Sequence, residues 1–508
     1  MFVRRKPNKS GTFSVQVVEK RSSRYVLVRS FGASRDEDEL QRLEREALEF
    51  IRRYGGQTVL EFEENRACTP TMPTALFDSI SAIVQNGPHL ILDSIYDGVG
   101  FGALGDDILK MLVVSRLCQP MSKLATVDYL RRYNGVEVDV NTLYRYMDKL
   151  DEKMRQRVQQ ISVDHTRKIL GGRIGIVFYD VTTLYFESAK EDGLRSIGFS
   201  KDGKTAETQI VLGLLVSLDG YPLAYSIFNG GQYEGRTMIP VIDDFVSRFN
   251  LSDFIVVADA GLLSRKNIAL LKSAGYQFIL GGRIKKEGTA VTEWGLGLDK
   301  DEQKLHETTV NGDERIIVSY SAKRAAKDAR NRDKGIQRLR KAYSSGKITK
   351  QNISHRGYNK FLVIENDVSV NIDHDKIYED AKWDGLKCYV TNTDLPAAEV
   401  IAQYHGLWVV ERAFRISKGT LETRPIFHFT ERRIEAHICI CFMAYKVYKE
   451  LQRLLPILGI NLSVDKVLEI AKTISSVTIK LPDGTFRTRT LLLTPEQQRI
   501  APLLQALS

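Results

Sequence analysis

Two aspartates in this sequence stand directly after short apolar runs that predict buried strands. Asp180 follows residues 174–179, and Asp259 follows residues 254–258. A carboxylate at the end of a buried strand is costly unless it is paired or bound to a metal ion. A third carboxylate, Glu411, lies in a segment with the apolar periodicity of a helix. Because oxygen ligands hold Mg²⁺ in proteins, the three carboxylates together predict a site for divalent cations.

The segment that carries Glu411, residues 398–422, predicts one continuous helix. Asp394, followed by Leu and Pro, is a start signal for it. Tyr404, Glu411 and Lys418 recur every seven residues and predict a polar stripe, roughly opposite an apolar side. That apolar side comprises Ala402, Gly406, Val409, Ala413 and Ile416. A polar stripe is usually only a solvated helix face, and the two strand-end aspartates are what favour a site.

The composition sets broad limits on the function. The 508 residues carry 73 Lys and Arg against 63 Asp and Glu, a net charge of +10 that only mildly favours a polyanionic partner. The length predicts about three domains. Five scattered cysteines favour reduced thiols in the cytosol. Because the sequence has neither an apolar run of membrane-spanning length nor a signal peptide, we expect a cytoplasmic protein without a membrane partner.

Two other stretches predict contacts with DNA. Residues 123–133 and 140–150 predict a helix-turn-helix, although an ordinary helical hairpin has the same pattern. The second helix would present these side chains to a groove: Asn141, Thr142, Tyr144 and Arg145. Residues 323–343 predict a strongly basic helix that includes Arg338 and Arg340, and its scarcity of acids favours phosphate contact over a merely solvated face. Trp294 could stack on a displaced base, but packing in a core is the commoner role for Trp.

The three acidic residues resemble the catalytic triad of bacterial insertion-sequence DDE transposases. The C-terminal signature of that family, Y-x2-R-x3-E-x6-K, stands here as Tyr404, Leu407, Glu411 and Lys418, with Leu407 in the Arg position. Residues 198–225 and 256–285 also resemble the segments around the family's two aspartates. The resemblance covers about residues 174–445.

This resemblance implies an α/β fold, a ribonuclease-H-like (retroviral-integrase-like) catalytic core in which the first and fourth strands are neighbours. The core would span residues 171–455, with a β-containing insertion at about 283–385 before the Glu411 helix. A β-hairpin and helix (1–70) and a helical DNA-binding region (85–170) would precede the core, and a helix and hairpin (456–508) would follow it.

The implied activity is cleavage of transposon ends and their joining to target DNA. Two Mg²⁺ ions, with Mn²⁺ as a substitute, would be held by Asp180, Asp259 and Glu411 and would activate water or a DNA 3′-hydroxyl. Tyr404 and Lys418 would contact phosphates near the cleaved end. We expect a homodimer on double-stranded DNA, in the bacterial nucleoid.

Leu407 cannot donate the hydrogen bond that the family's Arg makes. Arg415, one helical turn after Glu411, is therefore expected to supply the missing charge.

Two alternatives to a transposase remain, a structure-specific nuclease on the same core and a catalytically inactive DNA-binding descendant.

Overall fold

The computed structural model of this chain describes residues 1–21, 24–54, 77–200, 202–204, 206–249, 251, 253–345, 357–365 and 369–507. Contacts divide the chain into two compact units, Met1–Asp78 and Ser79–Ser508. Within the described residues, no helix is long and apolar enough to cross a membrane.

The first unit is a three-stranded antiparallel sheet with one helix. It contains β1 (Phe2–Pro7), β2 (Phe13–Arg21), β3 (Arg24–Ser34) and α1 (Glu37–Tyr54). Val15 and Val17 of β2 are buried together with Leu40 and Leu43 of α1. The hairpin and helix were predicted, but β1 was not, because its alternation is hidden by a run of cations. Residues 21–23 are the turn signal of the predicted hairpin, and two of them, 22–23, lie outside the described residues, as does the end of the predicted 1–70 domain.

The second unit contains the following strands in chain order: β4 (Ile80–Val84), β5 (Ile176–Tyr185), β6 (Gln209–Ser217), β7 (Pro222–Asn229), β8 (Ile255–Ala258), β9 (Gln277–Gly282), β10 (Leu305–Val310), β11 (Glu314–Tyr320), β12 (Leu362–Glu365), β13 (Ser369–Ile372), β14 (Leu386–Thr391), β15 (Ser475–Lys480) and β16 (Phe486–Leu491). Its α-helices are α2 (Gly87–Val99), α3 (Asp107–Cys118), α4 (Lys123–Tyr129), α5 (Val140–Lys149), α6 (Glu152–Ile169), α7 (Met238–Phe249), α8 (Arg265–Ser273), α9 (Thr289–Leu296), α10 (Ala322–Ser344), α11 (His374–Ala381), α12 (Ala397–His405), α13 (Trp408–Lys418), α14 (Glu431–Ile457), α15 (Val464–Ala471), α16 (Pro495–Gln498) and α17 (Ala501–Leu507).

In the helical region, side-chain caps mark where four helices begin. The side chains of Asp106, Ser122, Asp139 and Asp151 accept hydrogen bonds from backbone N–H groups in the first turns of α3, α4, α5 and α6. Helix α4 continues as a π-turn to Asn134, and the chain then turns at a glycine before α5 begins. The predicted pair of helices is therefore present.

The central sheet has the strand order β10-β11-β14-β9-β8-β5-β6-β7. Strand β8 is parallel to both β5 and β9, and the other neighbours are antiparallel. The predicted adjacency of the first and fourth core strands, β5 and β8, is confirmed. Because the register places Tyr179 opposite Ala258, the residues that follow them reach the same edge of the β5–β8 pair.

The predicted insertion between residues 283 and 385 extends this sheet. Strands β10 and β11 pair with each other, and β11 pairs with β14, so two strands of the insertion become part of the core sheet. Ile316 and Val318 are buried on β11, which explains why this segment joins the sheet. The basic helix α10 follows, and β12 and β13 form a separate two-stranded antiparallel sheet.

One predicted helix over residues 398–422 is wrong, because the segment forms two helices, α12 and α13. The break falls at Gly406 and Leu407, whose N–H groups donate to carbonyls three residues back. A Cβ on Gly406 would lie 2.5 Å from Cζ of Phe178, so only glycine allows the segment to approach β5 this closely. Ala413 and Ile416 of the predicted apolar side are buried, whereas Ala402 is exposed and Val400 is buried in its place.

Helix α14 joins regions that the sequence predicts as separate domains. It is buried over most of its length and contacts α2, α3, α5 and α6 as well as β7 and α13. The sheet β16-β15-β4 similarly pairs the C-terminal segment with the start of the unit. The predicted regions 85–170, 171–455 and 456–508 therefore form one compact unit rather than three.

Candidate active site

The sequence predicts Asp180 at the end of a strand. In the structure Asp180 lies inside strand β5. The β-branched residues Val181, Thr182 and Thr183 continue the strand, which pairs with β6 as far as Tyr185. The parallel pairing with β8, however, stops at Tyr179. Asp180 is consequently the first residue of β5 beyond its parallel neighbour, and its Oδ1 accepts a hydrogen bond of 2.8 Å from the N–H of the next residue.

The three predicted carboxylates line one cavity of about 390 Å³. Asp180 comes from β5, Asp259 follows the last residue of β8, and Glu411 comes from the first turns of α13. Helix α13 packs against β5 and β6, which brings its glutamate over the edge where the two aspartates emerge. The structure thus brings the three predicted carboxylates to one cavity.

Tyr404 is buried and faces the acidic residues. Its hydroxyl donates a 2.9 Å hydrogen bond to Oδ1 of Asp259. Burial, and then the negative charge of Asp259, hold the pKa of Tyr404 well above its usual value, so the hydroxyl keeps its proton. Gly281 makes room for this contact, because a Cβ there would lie 2.3 Å from the hydroxyl oxygen. The prediction that Tyr404 belongs to an exposed stripe is therefore wrong.

Two cations that the sequence reasoning missed also line the cavity, Lys387 of β14 and Arg324 of α10. The Nζ atom of Lys387 lies 4.5 Å from the centre of the Tyr404 ring. Burial and the charge of Arg324 lower the pKa of Lys387, while Asp259 and Glu411 oppose that change. Arg324 lies in the predicted insertion and Lys387 directly after it, so no local sequence motif connects either cation to the triad.

The remaining wall of the cavity is formed partly by α12 and α13. Leu407, in the position of the family's Arg, is 8% exposed and lines the cavity, as does the indole of Trp408, which is 56% exposed. An exposed indole beside a polar cavity offers a flat surface on which a base can stack. Trp294, the residue considered for stacking from the sequence, instead packs against a hydrophobic core.

The donor chemistry of this cavity fits a hard divalent cation, because the three acidic side chains offer only oxygen ligands. Among the described residues, however, no three acidic, histidine or cysteine side chains are close enough together to form a set of metal ligands. The three carboxylates share a cavity but are spread around its wall. Their fit to a metal ion is thus one of chemistry and shared location.

Lys418 and Arg415 lie elsewhere on α13. The Nζ of Lys418 donates to Oδ2 of Asp202 at 3.1 Å, and Arg424 is 3.3 Å from the other oxygen of the same carboxylate. Arg415 is exposed and is not among the residues that line the cavity. The structure therefore brings Tyr404 to the triad but places Lys418 in an ion pair and Arg415 outside the cavity.

The residues predicted to contact DNA from the helix-turn-helix differ in their exposure to solvent. Asn141 and Arg145 are exposed on α5, and Thr142 accepts a hydrogen bond of 3.3 Å from Arg145. Tyr144 is half-buried, and the guanidinium of Arg433 lies 5.0 Å from its ring centre. That Tyr144 faces a groove stays a prediction.

On the basic helix α10, Arg338 and Arg340 are exposed. Arg332 is buried and makes two hydrogen bonds, of 2.6 and 2.5 Å, to Asp384. One cation of this helix thus has a structural role, while the two that were singled out from the sequence face solvent.

The fold and site define an α/β domain with an acidic triad at the edge of a mixed sheet. Residues 171–446, more than half of the sequence, match the family described as the transposase DDE domain. The chain belongs to this family. No curated protein matches the chain.

Several solved structures have similarity to the chain. One is a cryo-EM structure of the piggyBac transposase synaptic complex with hairpin DNA, with 12% identity, coverage of 75% of this chain and 70% of that one, and a TM-score of 0.39. Another is the Mos1 mariner paired-end complex with Mn, with 14% identity, coverage of 47% and 67%, and a TM-score of 0.15. Because these TM-scores lie below 0.5, the functional conclusion rests on family membership and on the residues of the site.

Proposed function

We propose that this protein is a DNA transposase that binds the ends of its insertion sequence, cleaves them and joins them to target DNA. The observation that carries the proposal is the single cavity lined by Asp180, Asp259 and Glu411. The family match over the same residues supports it. The double-stranded DNA substrate would be bound by a homodimer.

Asp180, Asp259 and Glu411 would hold Mg²⁺, or Mn²⁺ in its place. When bound, such ions lower the pKa of water and stabilise the attacking and leaving oxygens of an in-line displacement. The hydrogen bond from Tyr404 fixes one oxygen of Asp259 and leaves the other free to act as a ligand. Tyr404 is therefore proposed as a positioning residue, in addition to the phosphate contact that the resemblance implies.

The cations and the indole around the cavity would position the DNA. Lys387 and Arg324 can offset the negative charge of a phosphodiester that approaches three carboxylates. Trp408 would stack on a base beside the reacting phosphate. Further contacts with the DNA backbone are proposed for seven side chains on α5, α10 and α13, of which Thr142 and Lys418 are half-buried and the others exposed: Asn141, Thr142, Arg145, Arg338, Arg340, Arg415 and Lys418.

The deciding experiment incubates the full chain with a pre-cut end of its element, a target plasmid and Mg²⁺. Strand joining supports the transposase, cutting without joining supports a nuclease, and binding alone supports an inactive descendant. Asp180→Asn, Asp259→Asn and Glu411→Gln should each abolish cutting and joining while leaving binding of the end nearly intact. Glu469→Gln, which changes an exposed glutamate on α15, is the matched control and should behave as wild type. Wild-type cutting by any triad variant would remove that residue from the site.

A further inference from the structure

A second cavity, of about 100 Å³, lies between the helical region and the segment that follows α13. Arg116 lies at the end of α3 and Lys123 at the start of α4, and both line this cavity together with Arg424. We refer to it as the Arg116–Lys123 pocket. Its volume is about three times the share of one water molecule in the liquid, so it has room for a small polyatomic anion.

Arg116 and Lys123 are almost completely buried, with 6% and 3% of their surfaces exposed. Neither has a hydrogen bond or an ion pair with any residue that the structure describes. Isolated buried charges are strongly unfavourable unless they are paired. Burial first, and then the like charge of Arg116, lower the pKa of Lys123 to about 7.

The other groups in the pocket do not neutralise these charges. Burial, with Lys123 and Arg116, lowers the pKa of His428 to about 3 and that of His437 well below its usual range, so both rings are neutral. The Nδ1 atom of His437 is buried and has no hydrogen-bond partner among the described residues. Among the residues that line the described pocket, the one carboxylate is that of Glu422, which is exposed.

We propose that the Arg116–Lys123 pocket binds one phosphate group, supplied either by the DNA backbone or by free phosphate. A phosphate would supply the missing negative charge, and a guanidinium can donate two parallel hydrogen bonds to its oxygens. The ammonium of Lys123 adds a second, more compact cation on the neighbouring helix. The pocket thus provides both the charge and the donors that such a ligand needs.

The position of the pocket connects such a ligand to the proposed active site. Arg424, which lines the pocket, also pairs with Asp202, and Asp202 pairs with Lys418 at the end of the Glu411 helix. A DNA phosphate held here would be shared between the helical region and the catalytic segment. The DNA source of the phosphate rests on the proposed function, whereas the site itself does not.

The first test measures thermal unfolding of the full chain in inorganic phosphate and in chloride at matched ionic strength. Phosphate should raise the wild-type midpoint progressively with its concentration, because it binds the folded state. The rise should be largely lost in Lys123→Met and retained in Lys466→Met, which removes an exposed lysine on α15. General salt exclusion would raise all three midpoints equally.

An equal response of wild type and Lys123→Met, or none in wild type, would overturn the proposal. Arg116→Met serves as the second variant. If neither variant folds, the wild type alone decides: a rise in its midpoint that saturates with phosphate supports the site, and the lack of such a rise refutes it. In chloride, Lys123→Met should unfold at the same temperature as wild type or higher, because it removes an unpaired buried charge.

The second test identifies the source of the phosphate. Affinity for a mixed-sequence DNA duplex is measured against NaCl concentration for wild type, Lys123→Met and Lys466→Met. If the ligand is a DNA phosphate, Lys123→Met should reduce the slope of log affinity against log salt by about 0.9, the value for one lost contact. An unchanged slope with an intact response to inorganic phosphate assigns the pocket to free phosphate. Asp180→Asn should retain both responses, so a failure of the catalytic proposal is distinguishable from a failure of this one.

Discussion

The charge that substitutes for the missing Arg at position 407 should come from Lys387 rather than from Arg415. Lys387 lines the cavity that holds the carboxylates, whereas Arg415 is exposed and outside it. The pKa of Lys387 is lowered by burial and by Arg324, but the opposing influence of Asp259 and Glu411 shows that its ammonium lies within electrostatic reach of both acids. It is therefore placed to contact a phosphate on which they act.

The size of the effect follows from the kind of contact. A hydrogen bond between a charged donor and a phosphate contributes on the order of 1.5–3 kcal/mol. This corresponds to a loss of roughly 10- to 150-fold in the cleavage rate when Lys387 is replaced by Met. The Met side chain keeps an unbranched apolar stem, so the main change is the loss of the ammonium that lies over the Tyr404 ring.

The assay is the single-turnover cleavage rate on a pre-cut and an uncut end, at fixed salt and saturating Mg²⁺. Lys387→Arg should retain most of the activity, and Arg415→Met should lose less than Lys387→Met. If Lys387→Met cleaves as fast as wild type while Arg415→Met is slow, the reasoning from the cavity is refuted and the sequence-based assignment to Arg415 stands.

Three further predictions concern the positioning tyrosine, the basic helix and a buried histidine. Tyr404→Phe should keep the fold but lower the cleavage rate about 10- to 150-fold, since it removes a hydrogen bond to a charged group; wild-type rates would refute the role. Replacing Arg338 and Arg340 by Ala should reduce the salt slope of DNA affinity by about 1.8 in total, and an unchanged slope would leave α10 as a solvated face. Burial, and then the charge of Lys446, lower the pKa of His165 to about 4, so the folded state holds this ring neutral. The free energy of unfolding should therefore fall as the pH drops from about 6.5 to 4, and His165 should account for roughly 3 kcal/mol of that loss. Urea unfolding should show a shallower loss in His165→Gln and an unchanged one in His374→Gln, which alters an exposed ring.

The sequence identified the acidic residues because their signal is local. Asp180 and Asp259 each follow an apolar run, and the neighbouring strands then bring them to one edge. The caps of the helical region are equally local, since Asp106 and Asp139 are followed directly by the periodic apolar residues of their helices. Family resemblance supplied the role of Glu411, which its helix alone did not distinguish from a solvated residue.

The rest of the site depends on contacts between distant segments. Lys387 reaches the cavity because β14 pairs with β9, and nothing in its own neighbourhood predicts that pairing. The heptad spacing predicts one continuous helix and therefore places Tyr404 on an exposed stripe. The break at Gly406 instead separates α12 from α13, and it lies where the segment closely approaches Phe178, a residue far away in the sequence.

The same contacts explain how a leucine can stand in the signature where the family has an arginine. Leu407 is buried at the break between α12 and α13, where a charged side chain without a partner would be costly. Lys387 lines the same cavity from β14, and its Nζ lies 4.5 Å from the centre of the Tyr404 ring, so its ammonium reaches the cavity from outside the break. A phosphate in the cavity interacts with a positive charge according to its position, whichever segment carries it. A sequence signature confined to one helix therefore does not detect that Lys387 takes the place of the arginine.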